Sequence, residues 1–246
     1  MKFILANAGI NKQTLRKAAV LQTSRIVYAK ITFDFAVTQV RQELDGVLNG
    51  NKLPSVDDRR LFPYTEAVLH ELFRHSSLTP NTIPHTTTED TVVGGYHVPK
   101  STMVFVNQHA ANHDPEVWDQ PDKFMPERFL EASGKLIPNP HEKYLVFSTG
   151  LRKCPGDEIS RVILVHFMAT FFSVAEIFPD PEAPPTLDSV FNLSMRPKEL
   201  KLSLRLRDQA FFANTLNELQ RVSVPVRKTM DGHWHPDGDT MTELLR

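Results

Sequence analysis

The feature that most limits what this chain can fold into is its single cysteine, Cys154. One thiol cannot build an internal disulfide framework or a zinc site of the CxxC type. The chain has 246 residues, 41% of them hydrophobic and 23% charged, and so has enough apolar material to bury a core. This length predicts one large domain or two small ones. Any chemistry at Cys154 uses that thiol alone, as a nucleophile, a redox thiol or a single metal ligand.

Charge and hydropathy argue against two broad classes of protein. The 28 Lys and Arg residues are balanced by 29 Asp and Glu residues, whereas broad nucleic-acid-binding surfaces are basic. The apolar run at residues 3–6 is too short for a signal peptide or a membrane span. The most apolar window, residues 162–178, contains four polar side chains that would be costly at the centre of a bilayer. We therefore expect this window to form a buried helix.

Periodicity predicts a mainly helical chain with small β-sheets, an α+β fold. Long helices are expected over residues 35–49, 63–76 and 155–176, the second beginning at Pro63. The apolar stripe of the first helix consists of Phe35, Val40, Leu44, Val47 and Leu48. The other predictions, in chain order, are a helix over 14–30, a linker over 51–62, a hairpin over 92–98, a strand over 102–106, a short helix over 107–112, irregular chain over 113–146 and a half-exposed strand over 200–207.

Cys154 lies in a glycine-containing segment, residues 147–156, which we call the cysteine loop and which reads FSTGLRKCPG. Its motif, F-x-x-G-x-R-x-C-x-G, is formed by Phe147, Gly150, Arg152, Cys154 and Gly156. The two glycines permit tight turns close to a cofactor, and the phenylalanine can pack against a flat ring. The start of the following helix and the arginine favour a thiolate, and the arginine can also pair with a carboxylate of a cofactor. A buried cysteine that packs as a small hydrophobic residue is the alternative interpretation.

A second motif pairs two charges on the helix predicted over residues 63–76. Glu71 and Arg74 form an E-x-x-R pattern, whose side chains share one helix face and can bind each other. Further along the chain, Arg128 lies in the sequence P-E-R-F within a proline-rich stretch.

Taken together, these motifs resemble the cytochrome P450 family over residues 35–207. The sequence looks most like the animal microsomal branch that contains family 1 and the steroid 17-alpha-hydroxylase. The resemblance implies that Cys154 is the axial thiolate ligand of the iron of heme b. It also implies that His85 contacts a heme propionate and that residues 78–83 border the substrate pocket. The fold implied is the C-terminal part of the cytochrome P450 fold.

The same resemblance gives the two arginines and the glutamate a structural role. It implies that Glu71, Arg74 and Arg128 form a buried triad of mutually satisfied charges. This triad holds the loop beneath the heme, and with it the cysteine loop, in register.

The activity implied is that of a heme-thiolate monooxygenase. Such an enzyme inserts one oxygen atom of O2 into a hydrophobic, xenobiotic or steroid-like substrate, with electrons from NADPH delivered by NADPH-cytochrome P450 reductase. The reductase is expected to dock near Lys143, Arg152 and Lys153, whose positive charges would attract an acidic partner. The resemblance also implies the endoplasmic reticulum membrane, although we find no anchor in this sequence.

The sequence departs from the family in one large respect, because we find no counterpart of the family's first half. That half contains the central helix with the A-G-x-[DE]-T motif, which delivers protons to oxygen. We therefore expect no catalytic residue of the oxygen-activating helix here, and we leave residues 1–34 unassigned and interpret residues 208–246 as an accessory tail. A truncated, non-catalytic heme-binding fragment is the alternative function.

Three further groups of potential metal ligands are interpreted as incidental. A zinc peptidase requires H-E-x-x-H, but Arg74 occupies the position of the second histidine after His70, and His75 comes one residue later. The pair His233 and His235 lies in the tail. The sequence Asn-His-Asp at residues 112–114 is expected to form a turn. We therefore expect neither a zinc site nor nucleic-acid binding.

Overall fold

The structure, a computed structural model, describes residues 34–49, 52–180, 182, 189–191, 194–197, 202–208, 226–228 and 234–236. The described α-helices are α1 (Asp34–Leu48), α2 (Pro63–Ser76), α3 (Gln108–Asn112) and α4 (Asp157–Val174). Short 3-10 helices occupy Asp57–Leu61, Pro126–Phe129, Pro140–Lys143 and Gly150–Arg152. The described strands are β1 (His85–Thr86), β2 (Thr91–Val93), β3 (Tyr96–Val98), β4 (Met103–Val104), β5 (Ala175–Pro179), β6 (Ser189–Phe191), β7 (Met195–Pro197), β8 (Leu202–Leu206), β9 (Val226–Lys228) and β10 (Trp234–Pro236). The predicted mixture of helices and small sheets is confirmed.

The strands pair two by two: β1 with β4, β2 with β3, β5 with β8, β6 with β7, and β9 with β10. In the first pair, His85 lies opposite Val104. The β2–β3 hairpin turns at Gly94 and Gly95, whose φ angles of 57° and 85° favour glycine. The chain divides into two compact units, residues 1–205 and 206–246. The β9–β10 hairpin lies in the second unit, and the site described below lies entirely in the first.

The core of the first unit forms where α1, α2 and α4 pack against one another. Its fully buried side chains include Val37, Val40, Leu44, Leu69, Phe73, Phe129, Met168, Phe172 and Ile177. Helix α2 is the most enclosed, because every residue from Thr65 to Arg74 is buried. A helix buried on all sides is a central core element, and here it must also bury charged side chains.

The apolar stripe predicted for α1 is right in its middle and wrong at its start. Val40, Leu44 and Leu48 are buried, but Phe35 is 70% exposed. Ala36 and Val37 point inward instead, because the core-facing stripe begins one residue later than hydrophobicity alone indicated.

The start of α2 is capped by a side chain from α1. The Glu43 carboxylate accepts hydrogen bonds from the backbone N–H groups of Tyr64 and Thr65 at 2.7 and 2.9 Å, and from the Thr65 hydroxyl at 2.7 Å. These are donors that a helix N-terminus otherwise leaves unsatisfied. Burial raises the pKa of Glu43, while the three hydrogen bonds act in the opposite direction. This contact ties α1 to α2 and was not predicted.

Several predicted elements have different bounds in the structure. The strand predicted over 102–106 is shortened to Met103–Val104, and the stretch predicted as irregular over 113–146 contains the 3-10 helices Pro126–Phe129 and Pro140–Lys143. The last long helix ends at Val174, earlier than predicted, because the chain becomes extended at Ala175 and enters β5. The segment predicted as a linker over 51–62 contains the 3-10 helix Asp57–Leu61. The helix predicted over 14–30 lies outside the described residues. Within the part of the chain that is described, none of the helices is both long and apolar enough to cross a membrane.

A buried histidine lies at the centre of the core. The Nδ1 atom of His70 is 2.8 Å from the hydroxyl of Tyr144, and its ring contacts that of Phe129 at 5.5 Å. Burial, with a contribution from the positive charge of Arg161, lowers the pKa of His70 to about 3. His75 instead contacts the carbonyl oxygen of Asp122 at 3.0 Å. The two histidines considered for a zinc site therefore have separate partners.

The neutral state of His70 predicts a pH-dependent stability. The pKa of a histidine in an unfolded chain is near 6.5. Below that pH the unfolded chain therefore binds a proton that the folded chain does not bind. The contribution of His70 to the free energy of unfolding should therefore fall by about 2 kcal/mol between pH 7 and pH 5. In His70→Gln this fall should be smaller, as measured by urea unfolding at both pH values.

The exposed His97 provides the matched control. The fall measured in His97→Gln, which leaves His70 in place, is the reference for the fall in His70→Gln. The partly buried histidines His75 and His113, whose pKa values burial also lowers, should maintain a residual slope in both variants. An equal fall in wild type and His70→Gln would contradict the assignment.

Candidate functional site

The cysteine loop is closed by backbone hydrogen bonds. The N–H group of Cys154 donates to the carbonyl oxygen of Phe147 at 2.9 Å, and that of Lys153 donates to Gly150 at 3.1 Å. The N–H group of Asp157, in the first turn of α4, donates to the carbonyl oxygen of Cys154 at 3.3 Å. The cysteine is therefore held where the loop joins the N-terminus of an 18-residue helix.

Two left-handed residues shape the loop, and a glycine lies beside the sulfur. Ser148 and Gly150 have φ angles of 62° and 70°, and glycine adopts such angles without steric cost. A Cβ atom on Gly156 would lie 3.8 Å from the Sγ atom of Cys154. The residue Cys154 is exposed, so its thiol is open to a ligand rather than packed as a small apolar side chain.

Phe147 anchors the beginning of the loop in the core. Its half-buried ring packs edge to face against Phe73 of α2, with the ring centroids 5.1 Å apart. This geometry is a favourable aromatic pairing. The loop therefore leaves the core at Phe147 and returns to helical structure at Asp157.

The two predicted propionate contacts lie on different elements. Arg152 is exposed, and its guanidinium forms no hydrogen bond or ion pair with any residue that the structure describes. His85 is also exposed and lies on β1. Among the described residues, no hydrogen bond or ring contact joins His85 to the cysteine loop. The structure thus brings the five loop residues together and leaves His85 on a separate ribbon.

That ribbon, formed by β1, β4 and their neighbours, exposes several large apolar side chains. Backbone hydrogen bonds connect Thr82 to Val106 and Thr87 to Thr102, which extends the pairing on both sides of β1. Its exposed apolar residues are Ile83, Met103, Phe105 and Val106. Ile83 ends the segment predicted to border a substrate pocket.

The structure also brings together Glu71, Arg74 and Arg128. The side chains of Glu71 and Arg74 are completely buried and form two hydrogen bonds of 2.7 Å, one to each carboxylate oxygen. The Nε atom of Arg128 lies 3.4 Å from the Glu71 carboxylate. The backbone N–H group of Met125 donates to the same carboxylate at 2.8 Å. One buried carboxylate therefore binds two guanidinium groups and an amide.

The two arginines also organise the irregular chain that precedes the cysteine loop. Arg74 donates to the carbonyl oxygens of Asn112 and Lys123 at 2.8 and 3.2 Å, and its guanidinium lies 5.2 Å from the Trp118 ring centroid. Arg128 donates to backbone carbonyl oxygens at Asp119, Gln120 and Lys123. These carbonyl groups lie outside sheets and long helices, so the arginines supply the donors they need.

Asn112 connects this arrangement to the chain leading into the loop. Its side-chain amide donates to the Ser77 hydroxyl at 3.0 Å and accepts from the N–H group of Leu145 at 3.1 Å. Leu145 precedes Phe147 by two residues. The sequence predicted only a turn around Asn112, because a single asparagine carries no pattern that reveals so distant a partner.

Replacing the buried carboxylate should destabilise the fold strongly. In Glu71→Gln, two arginines remain buried without their counter-ion, which typically costs about 3–5 kcal/mol of unfolding free energy. The control is the pair of the exposed Arg205 with the partly buried Glu176, and Arg205→Gln should cost about 1 kcal/mol or less. Urea unfolding measures the loss of unfolding free energy in both variants. Equal losses would show that the triad stabilises the fold no more than a surface ion pair does.

Comparison with known proteins identifies the family of the chain. The cytochrome P450 family model matches residues 36–204. Among curated relatives, cytochrome P450 1A1 of Oryctolagus cuniculus is 43% identical over 158 residues, which cover 64% of this chain and 30% of the relative. Cytochrome P450 1B1 of Homo sapiens is 39% identical over 171 residues, or 70% of this chain and 32% of the relative. Cytochrome P450 1A2 of Homo sapiens is 41% identical over 159 residues, 64% of this chain and 31% of the relative. The chain spans about a third of the length of these relatives, and it belongs to the cytochrome P450 family.

Proposed function

We propose that this chain forms the heme-binding C-terminal part of a heme-thiolate monooxygenase. The observation that carries the proposal is the cysteine loop, which presents the exposed and only thiol of the chain at the start of α4. The loop lies within the segment that the family model matches. The reaction proposed is insertion of one oxygen atom of O2 into a hydrophobic substrate, with electrons from NADPH.

The residues of the loop fit a thiolate-ligated heme b. An accessible thiol at a helix N-terminus is suited to bind iron as the thiolate. Gly156 lies beside the sulfur, and a side chain at this position would be in van der Waals contact with the thiol. When bound, a heme with a thiolate ligand supplies a strongly electron-donating iron centre, which favours cleavage of the O–O bond.

The remaining site residues would bind and orient the cofactor. The exposed guanidinium of Arg152 is suited to pair with a propionate, because arginine binds carboxylates through two parallel hydrogen bonds. His85, exposed on β1, is proposed as a second propionate contact. The partly exposed ring of Phe147, anchored on Phe73, is proposed to pack near the porphyrin.

The substrate class and the electron donor are proposed from two exposed surfaces, the β1–β4 ribbon and the basic residues at the cysteine loop. The exposed apolar residues of the β1–β4 ribbon, with Ile83 among them, favour a hydrophobic xenobiotic or steroid-like substrate. Lys143, Arg152 and Lys153 are exposed and would attract the acidic surface of NADPH-cytochrome P450 reductase. Lys153 already binds Asp157 at 2.7 Å, so Lys143 is the freer docking charge. We place the protein at the endoplasmic reticulum membrane by family resemblance.

Ligation by Cys154 can be tested spectroscopically. We expect the full chain, loaded with hemin, reduced with dithionite and exposed to CO, to show the Soret band typical of thiolate-ligated heme. Cys154→Ser should lose this band because a hydroxyl does not replace the thiolate. Far-ultraviolet circular dichroism should remain unchanged, because the side chain of an exposed residue adds little to stability.

The matched control moves the thiol to another site. In Cys154→Ser combined with Ser133→Cys, the chain again has one thiol, now in an exposed turn distant in sequence from α4. We expect no thiolate-type band from this variant. A band equal to that of wild type would contradict the assignment of Cys154.

A second measurement separates the enzyme from the alternative, a non-catalytic heme-binding fragment. If the thiolate-type band forms and NADPH with reductase supports oxidation of a hydrophobic probe such as ethoxyresorufin, the monooxygenase proposal holds. If the band forms without any turnover, the chain is the heme-binding fragment. If wild type never shows the band, both the monooxygenase proposal and the heme-binding-fragment proposal are wrong.

A further inference from the structure

A second set of charged side chains, with Asp157 and Arg161 buried at its centre, lies next to the cysteine loop and is not part of the triad. It consists of six residues of alternating charge from four segments, which we call the charge array. Its members, in order of contact, are Lys153, Asp157, Arg161, Glu158, Arg59 and Glu66. The array contains three positive and three negative side chains, so no formal charge is left uncompensated.

The contacts run without interruption from the residue before Cys154 to the first turn of α2. Lys153 binds one oxygen of the Asp157 carboxylate at 2.7 Å, and Arg161 binds the other. Arg161 also binds Glu158 at 2.5 Å. The other carboxylate oxygen of Glu158 accepts from Arg59 at 3.1 Å, and Arg59 binds Glu66.

Burial makes the middle of this array energetically significant. Asp157 and Arg161 are each 4% exposed, so each would leave a buried, unpaired charge if its partner were removed. The hydrogen bond from Arg161 lowers the pKa of Glu158, which keeps that carboxylate ionised. Arg161 is the hub, because it alone binds two carboxylates of the first turn of α4.

The cysteine loop needs support from outside because its own side chains give it little. Among the described residues, no side chain from 148 to 152 forms a hydrogen bond or an ion pair, and residues 151–155 are all exposed. Phe147 anchors the beginning of the loop. At its other end, the ion pair of Lys153 with Asp157 is the side-chain contact that holds the chain next to Cys154.

We propose that the charge array positions the thiol of Cys154, with Arg161 as its hub and Lys153 as the tether to the loop. The reason for positioning the thiol rests on the proposed heme-thiolate function. The contacts of the array are observed independently of that function. Arg161 and Lys153 are positioning residues, since neither side chain is placed on the sulfur. The array keeps residue 153 fixed against α4, and thereby limits the directions in which the adjacent thiol can point.

The first test needs no heme. Hydrogen–deuterium exchange of the full apo chain should report the N–H groups of Lys153 and Cys154, which bond to Gly150 and Phe147. In Lys153→Gln, the buried Asp157 still has Arg161 as a partner, so only the partly exposed Lys153 contact is lost. We expect exchange at both sites to speed up as for the loss of a surface ion pair, by a factor of roughly 1.5 to 5. Arg161→Gln should speed it by roughly tenfold or more, because it breaks a buried pair.

The second test asks whether the thiol remains correctly placed for iron. With equal amounts of hemin bound and reduced under CO, the ratio of thiolate-type to non-thiolate Soret absorbance should fall in Lys153→Gln and Arg161→Gln. Lys153→Arg, which can still bind Asp157, should restore the wild-type ratio. A merely structural role would lower the unfolding midpoint and hemin retention without changing this ratio.

The control is Lys135→Gln, which removes an exposed lysine outside the array. It should change neither the exchange rates nor the ratio of Soret absorbances. If Arg161→Gln does not fold, Lys153→Gln decides, because its partly exposed side chain can be replaced without opening the core. Exchange rates and band ratios equal to wild type in Lys153→Gln overturn the positioning proposal. If exchange is faster in Lys153→Gln than in wild type, but the wild-type chain never forms the thiolate-type band, the array is supported and the proposed function is overturned.

Discussion

The buried carboxylate of Glu71 is the interaction on which the rest of the first unit depends. It has no exposure to solvent and accepts hydrogen bonds from Arg74, Arg128 and the backbone of Met125. Burying a carboxylate is favourable only when such donors surround it. The same arginines then donate to carbonyl groups of the irregular chain, so one buried charge determines the conformation of a segment that has little regular secondary structure.

Helix α2 links this triad to the charge array, because it contributes charged residues to both. Glu66 in its first turn ends the array, and Glu71 and Arg74 further along form the centre of the triad. The capping carboxylate of Glu43 fixes the helix to α1 at its beginning. The cysteine loop is therefore supported at both ends by contacts that lead back to α2, through Phe147 and Phe73 at one end and through the array at the other.

Local patterns in the sequence predicted the helices well, since periodicity and Pro63 are sufficient to place α2, and the spacing of Glu71 and Arg74 predicts their pairing. The partner Arg128 came from family resemblance, because 57 residues separate it from Glu71. The Glu43 cap was missed for the same reason.

Lys153 was interpreted only as a docking charge, although Lys153, Asp157 and Arg161 follow the i, i+4 spacing that allows helical ion pairs. Phe35 was assigned to the core by hydrophobicity, but backbone phase decides which residues face inward.

The distribution of charge also explains how an exposed thiol can have a defined position. Side-chain hydrogen bonds within the loop would occupy polar groups such as the Arg152 guanidinium, which the proposed cofactor needs. The structure instead closes the loop with backbone hydrogen bonds and places the ion pairs outside it, on Lys153 and the first turn of α4. Buried ion pairs contribute little net stability, but they are strongly directional because a displaced partner leaves a charge unpaired. An atom that is to bind a metal must point in a defined direction. We therefore assign the array to positioning the thiol rather than to stabilising the fold.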